Sequence, residues 1–152
     1  MRDFNYAAII RILCVCSVCV LMCVTVSGAQ ERLSVTASIA NMRSGPDVNS
    51  DQLWQVEQYH PVIVIEKKGD WYKVKDFEGD TAWLHNSLLG KSATVITKAE
   101  KCNVRSKASI DGEKLFTTQK GVPFLVLDTK GGWIKVKHKD GDIGWISKKL
   151  VW

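Results

Sequence analysis

Between residues 30 and 152 apolar and polar positions alternate in short runs; they do not recur every three or four residues. In Trp71-Tyr72-Lys73-Val74-Lys75, one set of alternate positions holds Trp71, Lys73 and Lys75, the other Tyr72 and Val74. Alternation of this kind sends successive side chains to opposite faces of a strand. It predicts strands over 40–44, 53–57, 62–67, 71–75 and 81–85, divided by Gly, Asp, Asn and Pro. Gly69-Asp70, Glu78-Gly79-Asp80, Gly131-Gly132 and Asp140-Gly141-Asp142 predict hairpin turns. No window of eleven residues sustains a helical period. Five short strands in about 60 residues predict a small, highly bent β-barrel.

The same pattern is written twice. At a spacing of 62 residues, and without a gap, Asn41 falls on Asn103, Arg43 on Arg105, Pro61 on Pro123, Trp71 on Trp133 and Trp83 on Trp145. Lys73-Val74-Lys75 falls on Lys135-Val136-Lys137. Self-similarity at one period marks two copies of one supersecondary unit. The expected organisation is residues 1–29 as a signal peptide, 30–90 as repeat 1 and 91–152 as repeat 2.

Lysines must reach water, so the faces holding Tyr72 and Val74, and Ile134 and Val136, are predicted core. Ala82 and Leu84, and Gly144 and Ile146, follow the same rule. Trp71, Trp83, Trp133 and Trp145 are then predicted to look outward beside cationic stems. The runs 62–65 and 124–127 do not alternate, which predicts cover on both faces. Trp54, matched by Phe116, is read as packing, and Trp152 as an uninformative terminal residue.

Asn41-Met42-Arg43-Ser44-Gly45-Pro46, then Gly69 through Leu89, resembles the bacterial SH3-like family, and Asn103–Ser106 with Gly131 through Val151 is similar. The resemblance implies an all-β protein of two tandem SH3-like barrels, each of five or six strands. It also implies an exported, non-catalytic module tied to the cell wall or to wall-active enzymes. Two departures stand out. Ala82 replaces the Gly of the closing motif, and Lys107-Ala108 replace Gly45-Pro46, so the first loop of repeat 2 is expected to differ in shape.

Upstream, Arg2 and Arg11 precede an apolar run at 12–26, followed by Ser27, Gly28 and Ala29. Its length suits a secretory leader cleaved after Ala29 rather than a bilayer span of roughly 20 residues. Export places the protein in the periplasm or cell envelope. Membrane attachment is expected only through an uncleaved leader or a lipid anchor, and no lipidation motif fits well. Cleavage removes Cys14, Cys16, Cys19 and Cys23, leaving Cys102 without a disulfide partner.

Candidate chemistry is sparse. Cys102 alternates inward with Val104, which predicts a buried thiol and not a nucleophile. His60, His85 and His138 lack metal-ligand spacing and are read as surface or loop residues. No catalytic residue, metal or cofactor is expected, and the length leaves no room for a separate catalytic domain. The candidate binding residues are Trp71, Lys73 and Trp83 with Trp133, Lys135 and Trp145, since an exposed indole beside a cation suits sugar faces and carboxylates. Arg43 and Arg105 are expected to tie the first loop to backbone carbonyls, with Asn41 and Asn103 in the same structural motif.

The formal net charge is +5. Residues 30–90 carry 6 basic and 9 acidic side chains, residues 91–152 carry 13 and 6. Either the basic copy meets an anionic surface, or the acidic copy docks on it, or the lysines serve solubility. The expected partner is peptidoglycan or its stem peptides. The alternative is a periplasmic protein such as a wall hydrolase or envelope sensor. Nucleic acid is disfavoured by export.

Overall fold

The computed structural model describes residues 30–152, so the leader expectation lies outside the described residues. The first sheet contains β1 (Arg32–Val35), β2 (Ile39–Arg43), β3 (Gln52–Glu57), β4 (Pro61–Lys68), β5 (Trp71–Lys75), β6 (Thr81–His85) and β7 (Leu89–Gly90), in the order β3-β2-β6-β5-β4-β1-β7. The second contains β8 (Thr94–Ile96), β9 (Lys101–Arg105), β10 (Lys114–Gln119), β11 (Pro123–Lys130), β12 (Trp133–Lys137) and β13 (Ile143–Ser147), in the order β10-β9-β13-β12-β11-β8. Every pairing is antiparallel, and 3₁₀ turns Asn86–Leu88 and Lys148–Leu150 follow β6 and β13.

Neither sheet closes into a ring of hydrogen bonds; each strand order is open. Each nevertheless encloses a core. Leu33, Val35, Ala40, Met42, Val56, Val62, Val74, Ala82 and Leu84, drawn from β1 to β6, form one buried cluster. One sheet whose inward residues all meet must curl. The long strand β4 makes this possible: its first half pairs with β1 and its second with β5. A register shift between Val64 and Glu66 leaves Ile65 as an unpaired bulge residue, and Leu127 is its counterpart between Val126 and Asp128. Bulges bend the strand that carries them. They also correct the expectation of cover along 62–65 and 124–127, because Ile65 and Leu127 are exposed where the bend tips them out.

The inward alternation otherwise holds. Val74, Val136, Leu84, Ile146, Cys102 and Val104 are fully buried, and Tyr72 packs half-buried against its core. Burying one such aliphatic side chain contributes about 1.5–3 kcal/mol. Strands β1 and β8, absent from the sequence reading, are short runs that complete the core beside β4 and β11. Gly69 and Gly131, each at φ +56, take the first position of two-residue hairpin turns between paired strands, where that backbone favours glycine.

The Ala82/Gly144 difference has a packing cause. A Cβ at Gly144 would stand 2.5 Å from Val104 Cγ1 and 3.0 Å from Arg105 O. In repeat 1 the residue matching Val104 is Met42, which lacks a branch at Cβ and leaves room for Ala82.

The repeats meet through side chains of opposite charge. Glu78 pairs with Lys120 at 2.6 Å and Glu57 with Lys139 at 3.1 Å. Lys120 also lies 5.9 Å from the Phe77 ring centroid, and Gly121 backs onto Phe77. Arg32 stacks 4.0 Å above the ring of Trp152, which therefore ties the end of the chain to repeat 1 and is not uninformative. His60 is buried beside this joint, edge-on to Phe77, and its Nε2 has no hydrogen-bond partner among the described residues. It lies in the loop between β3 and β4, as one half of the expectation has it, but not at the surface: its backbone is bonded to β1 and its ring packs on Phe77, and Val122 holds the matching place in repeat 2. Burial drops its pKa from 6.5 to about 4.

Two outcomes follow. Gly144→Ala is expected to lower stability by about 1–3 kcal/mol, with Val104→Met recovering much of the loss in a double-mutant cycle measured by urea unfolding. As pH falls from 6.5 toward 4 the unfolded chain takes up a proton on His60 while the folded chain does not. Stability is therefore lost over that window, by up to roughly 3 kcal/mol from this group. Urea titrations from pH 4 to 8 should show that loss shrinking in His60→Val; an unchanged pH profile would contradict the assignment.

Candidate functional site

The outward faces of β2, β5 and β6 form the floor of a groove of about 500 Å³. Ile39, Asn41 and Arg43 alternate along β2, while Ala40 and Met42 enter the core. Trp71 on β5 stands directly opposite His85 on β6, and their rings meet edge to face at 5.3 Å and 89°. Val48 from the first loop and Leu88 from the 3₁₀ turn supply the remaining apolar walls. Ser87 donates its backbone N–H to His85 Nδ1 at 3.3 Å, which fixes the imidazole against the indole.

The first loop is held over this floor by an arginine. Arg43 Nη1 donates to Ser50 O at 2.7 Å, and Arg105 Nη1 donates to Gly112 O at 2.8 Å. Ser44 N–H donates to Asp51 O as Ser106 N–H does to Glu113 O. Ser50 N–H donates to Asp47 O as Gly112 N–H does to Ser109 O. The two first loops share these backbone bonds, and repeat 2 adds one at the departure itself, Ser109 N–H to Lys107 O at 2.8 Å. The tether and the closing turn are common to both, while the segment at Lys107-Ala108 differs locally from Gly45-Pro46. Asn41 Oδ1 accepts from Gln55 Nε2 across β2–β3, and Asn103 Oδ1 accepts from Thr117 Oγ1.

Of the residues singled out from sequence, Trp71, Asn41 and Arg43 come together in the groove. Lys73 and Trp83 form the neighbouring cross-strand row with Arg43. Trp83 is only 8% exposed, against the outward expectation. It does lie on the sheet face opposite the core, but between the long stems of Lys73 and Arg43, which can cover an indole as apolar residues do. Trp133, Lys135, Trp145, Asn103 and Arg105 rebuild the same frame in repeat 2, with Trp133 and Trp145 half-buried. Sequence reading missed Ile39, Val48, His85 and Leu88. The available clue was Val48 with its counterpart Ile110, apolar residues at the tip of otherwise polar loops and 65% and 70% exposed.

Cys102 is fully buried, its Sγ donating to Ala99 O at 3.5 Å, and burial raises its pKa. Both features disfavour the thiolate that a nucleophile requires. Among the described residues no group of three or more His, Cys, Asp or Glu side chains is placed to hold a metal ion.

Arg43→Ala removes the tether and leaves Ser50 O without its guanidinium, at an expected cost of about 1–3 kcal/mol. Hydrogen exchange should quicken across residues 44–51 and leave 106–113 unchanged; Arg105→Ala should reverse the pattern. Unaltered exchange in both loops would exclude a tethering role.

The family described as bacterial SH3 domain matches this chain twice, over residues 38–90 and 92–151. The Bacillus subtilis (strain 168) protein named "Putative N-acetylmuramoyl-L-alanine amidase YrvJ" is 24% identical over 138 residues, which cover 84% of this chain and 26% of that protein. The chain thus spans about a quarter of that relative's length. Among solved structures, an NlpC/P60 family protein from Bacillus cereus ATCC 10987 is 17% identical with a TM-score of 0.38, over 80% of this chain and 56% of that one. NlpC2 from Trichomonas vaginalis is 15% identical with a TM-score of 0.35, over 82% and 48%.

Proposed function

The chain belongs to the bacterial SH3 domain family, and from that premise we propose that it is an exported, non-catalytic module of the cell envelope that binds peptidoglycan or its stem peptides through repeat 1. The observation that carries this reading is the groove between the first loop and the Trp71–His85 pair. Its aromatic floor suits the apolar face of a sugar or the side chain of a short peptide. At its rim Arg43 spends one N–H on Ser50 O, and a guanidinium carries five donors, so it can also hold a carboxylate or carbonyl. The name of the Bacillus subtilis relative, an amidase of muramoyl-alanine bonds, supports a wall glycopeptide as the ligand class. Leader-like residues 12–26 support placement in the envelope.

A second reading, a docking module for a periplasmic wall hydrolase or envelope sensor, draws on the exposed Val48 and Leu53 and their counterparts Ile110 and Leu115. Apolar residues repeated at the same surface positions suit a protein partner.

Sedimentation with purified peptidoglycan at low salt separates the two. Retention of the chain is expected, falling roughly tenfold in Trp71→Ala if the ring supplies a stacking contact of about 1.4 kcal/mol, and persisting in Trp133→Ala. A chain that stays in the supernatant overturns the wall-ligand reading.

A further inference from the structure

The two repeats keep one frame and change what surrounds it. Around the Trp133–Arg105 surface of repeat 2, five positions carry lysine where repeat 1 has an uncharged residue. Lys101 stands for Ile39, Lys107 for Gly45, Lys114 for Gln52, Lys148 for Asn86 and Lys149 for Ser87. His85, which supports Trp71, becomes Ser147 opposite Trp133. Asp70, beside the groove turn, becomes Gly132.

The topology places Lys101 and Lys114 beside Arg105 on one face, with Lys107 and the Lys148–Lys149 turn at its edges. Lys114 is the direct cross-strand partner of Arg105, which pairs in turn with Trp145, and Trp145 with Lys135. Lys101 lies on the same face of β9 as Arg105. Lys107 rises from the first loop, and Lys148 donates its backbone N–H to Gly132 O next to Trp133. All five are exposed, and none forms an ion pair with a described carboxylate. The carboxylates near them, Asp111 and Glu113 in the first loop and Asp128 opposite Lys135, do not balance the charge. The lysines that meet repeat 1, Lys120 and Lys139, are different ones.

We infer that this face of repeat 2 is a second binding surface, distinct in chemistry from the repeat 1 groove, and that its ligand is a linear phosphate-bearing polyanion. The five lysines start from β9, β10, the loop between them and the 3₁₀ turn after β13, and so span three adjacent strands, roughly 10 Å of sheet. One small anion cannot reach them all, whereas a chain with a charge every few ångströms can. Lysine rather than arginine supplies the charge, and Arg105 already gives Nη1 to Gly112 O. Lysines meet a phosphate chain as point charges on flexible stems and need no fixed fork geometry. Neighbouring cations on an uncompensated face raise the local concentration of a polyanion through counterion release. The inference does not depend on what the repeat 1 groove holds.

The test uses the whole chain, long-chain inorganic polyphosphate as the probe, and a variant that restores the repeat 1 residues: Lys101→Ile, Lys107→Gly, Lys114→Gln, Lys148→Asn and Lys149→Ser together. The wild-type chain should bind at low salt, and the variant roughly tenfold or more weakly, with the slope of log Kd against log salt reduced by about three. Trp71→Ala should leave polyphosphate binding unchanged, which keeps this result separate from the peptidoglycan experiment. A single variant, Lys114→Gln, should weaken binding in proportion and guards against misfolding of the fivefold variant. No binding by wild type, equal binding by the fivefold variant, or equal affinity for vesicles of phosphatidylglycerol would each overturn the inference.

Discussion

Among the described residues repeat 1 has no cysteine and repeat 2 only the free, buried Cys102, so each unit of about 60 residues makes both walls of its core from a single sheet without a cross-link. That constraint governs the rest. The sheet can meet itself only if one strand serves two neighbours and bends between them, as β4 and β11 do at Ile65 and Leu127. Once the sheet is bent, every inward position is committed to the same small cluster, and space there is set by single atoms. Val104 with Gly144, against Met42 with Ala82, is one volume shared out in two ways.

Core demands fix the inward residues, so differences between the copies collect outside. The arginine tether and the loop turn it closes are the same in both, and they hold a platform of constant shape. On that platform repeat 1 places Ile39, Val48, Trp71 and His85, which make a groove of aromatic and aliphatic character. Repeat 2 places lysines. The opposite charge of the copies is used once more where they touch, at Glu57–Lys139 and Glu78–Lys120. Exposed pairs of that kind contribute little stability; the stacking of Arg32 on Trp152 and the approach of Gly121 to Phe77 add contact at the same joint.

Much of the fold was legible because alternation, duplication and turn residues agree with each other. Strands β2 to β6 and their counterparts lie within a residue or two of where the pattern puts them. What escaped was set by contacts that a linear pattern does not carry. β1 is four residues long, too short for alternation to mark, and exists because β4 and β7 flank it. Trp83 obeys its period but stands in one cross-strand row with Lys73 and Arg43 and is buried, a fact of neighbouring strands. His60 is polar in sequence and buried in space, because the turn that holds it is bonded to β1 and its ring packs on Phe77. Of the groove, the sequence exposed Trp71, Asn41 and Arg43 through their repetition. It hid Ile39 and His85, which are the residues that do not repeat.

Two copies of one frame present unlike surfaces. Nuclear magnetic resonance of the tryptophan indole N–H groups during titration with a soluble muramyl-peptide fragment reads this directly, since Trp71 and Trp133 occupy the same place in each repeat. The Trp71 signal should move with saturation while that of Trp133 stays still. Movement of both by the same amount, or of Trp133 alone, would contradict it.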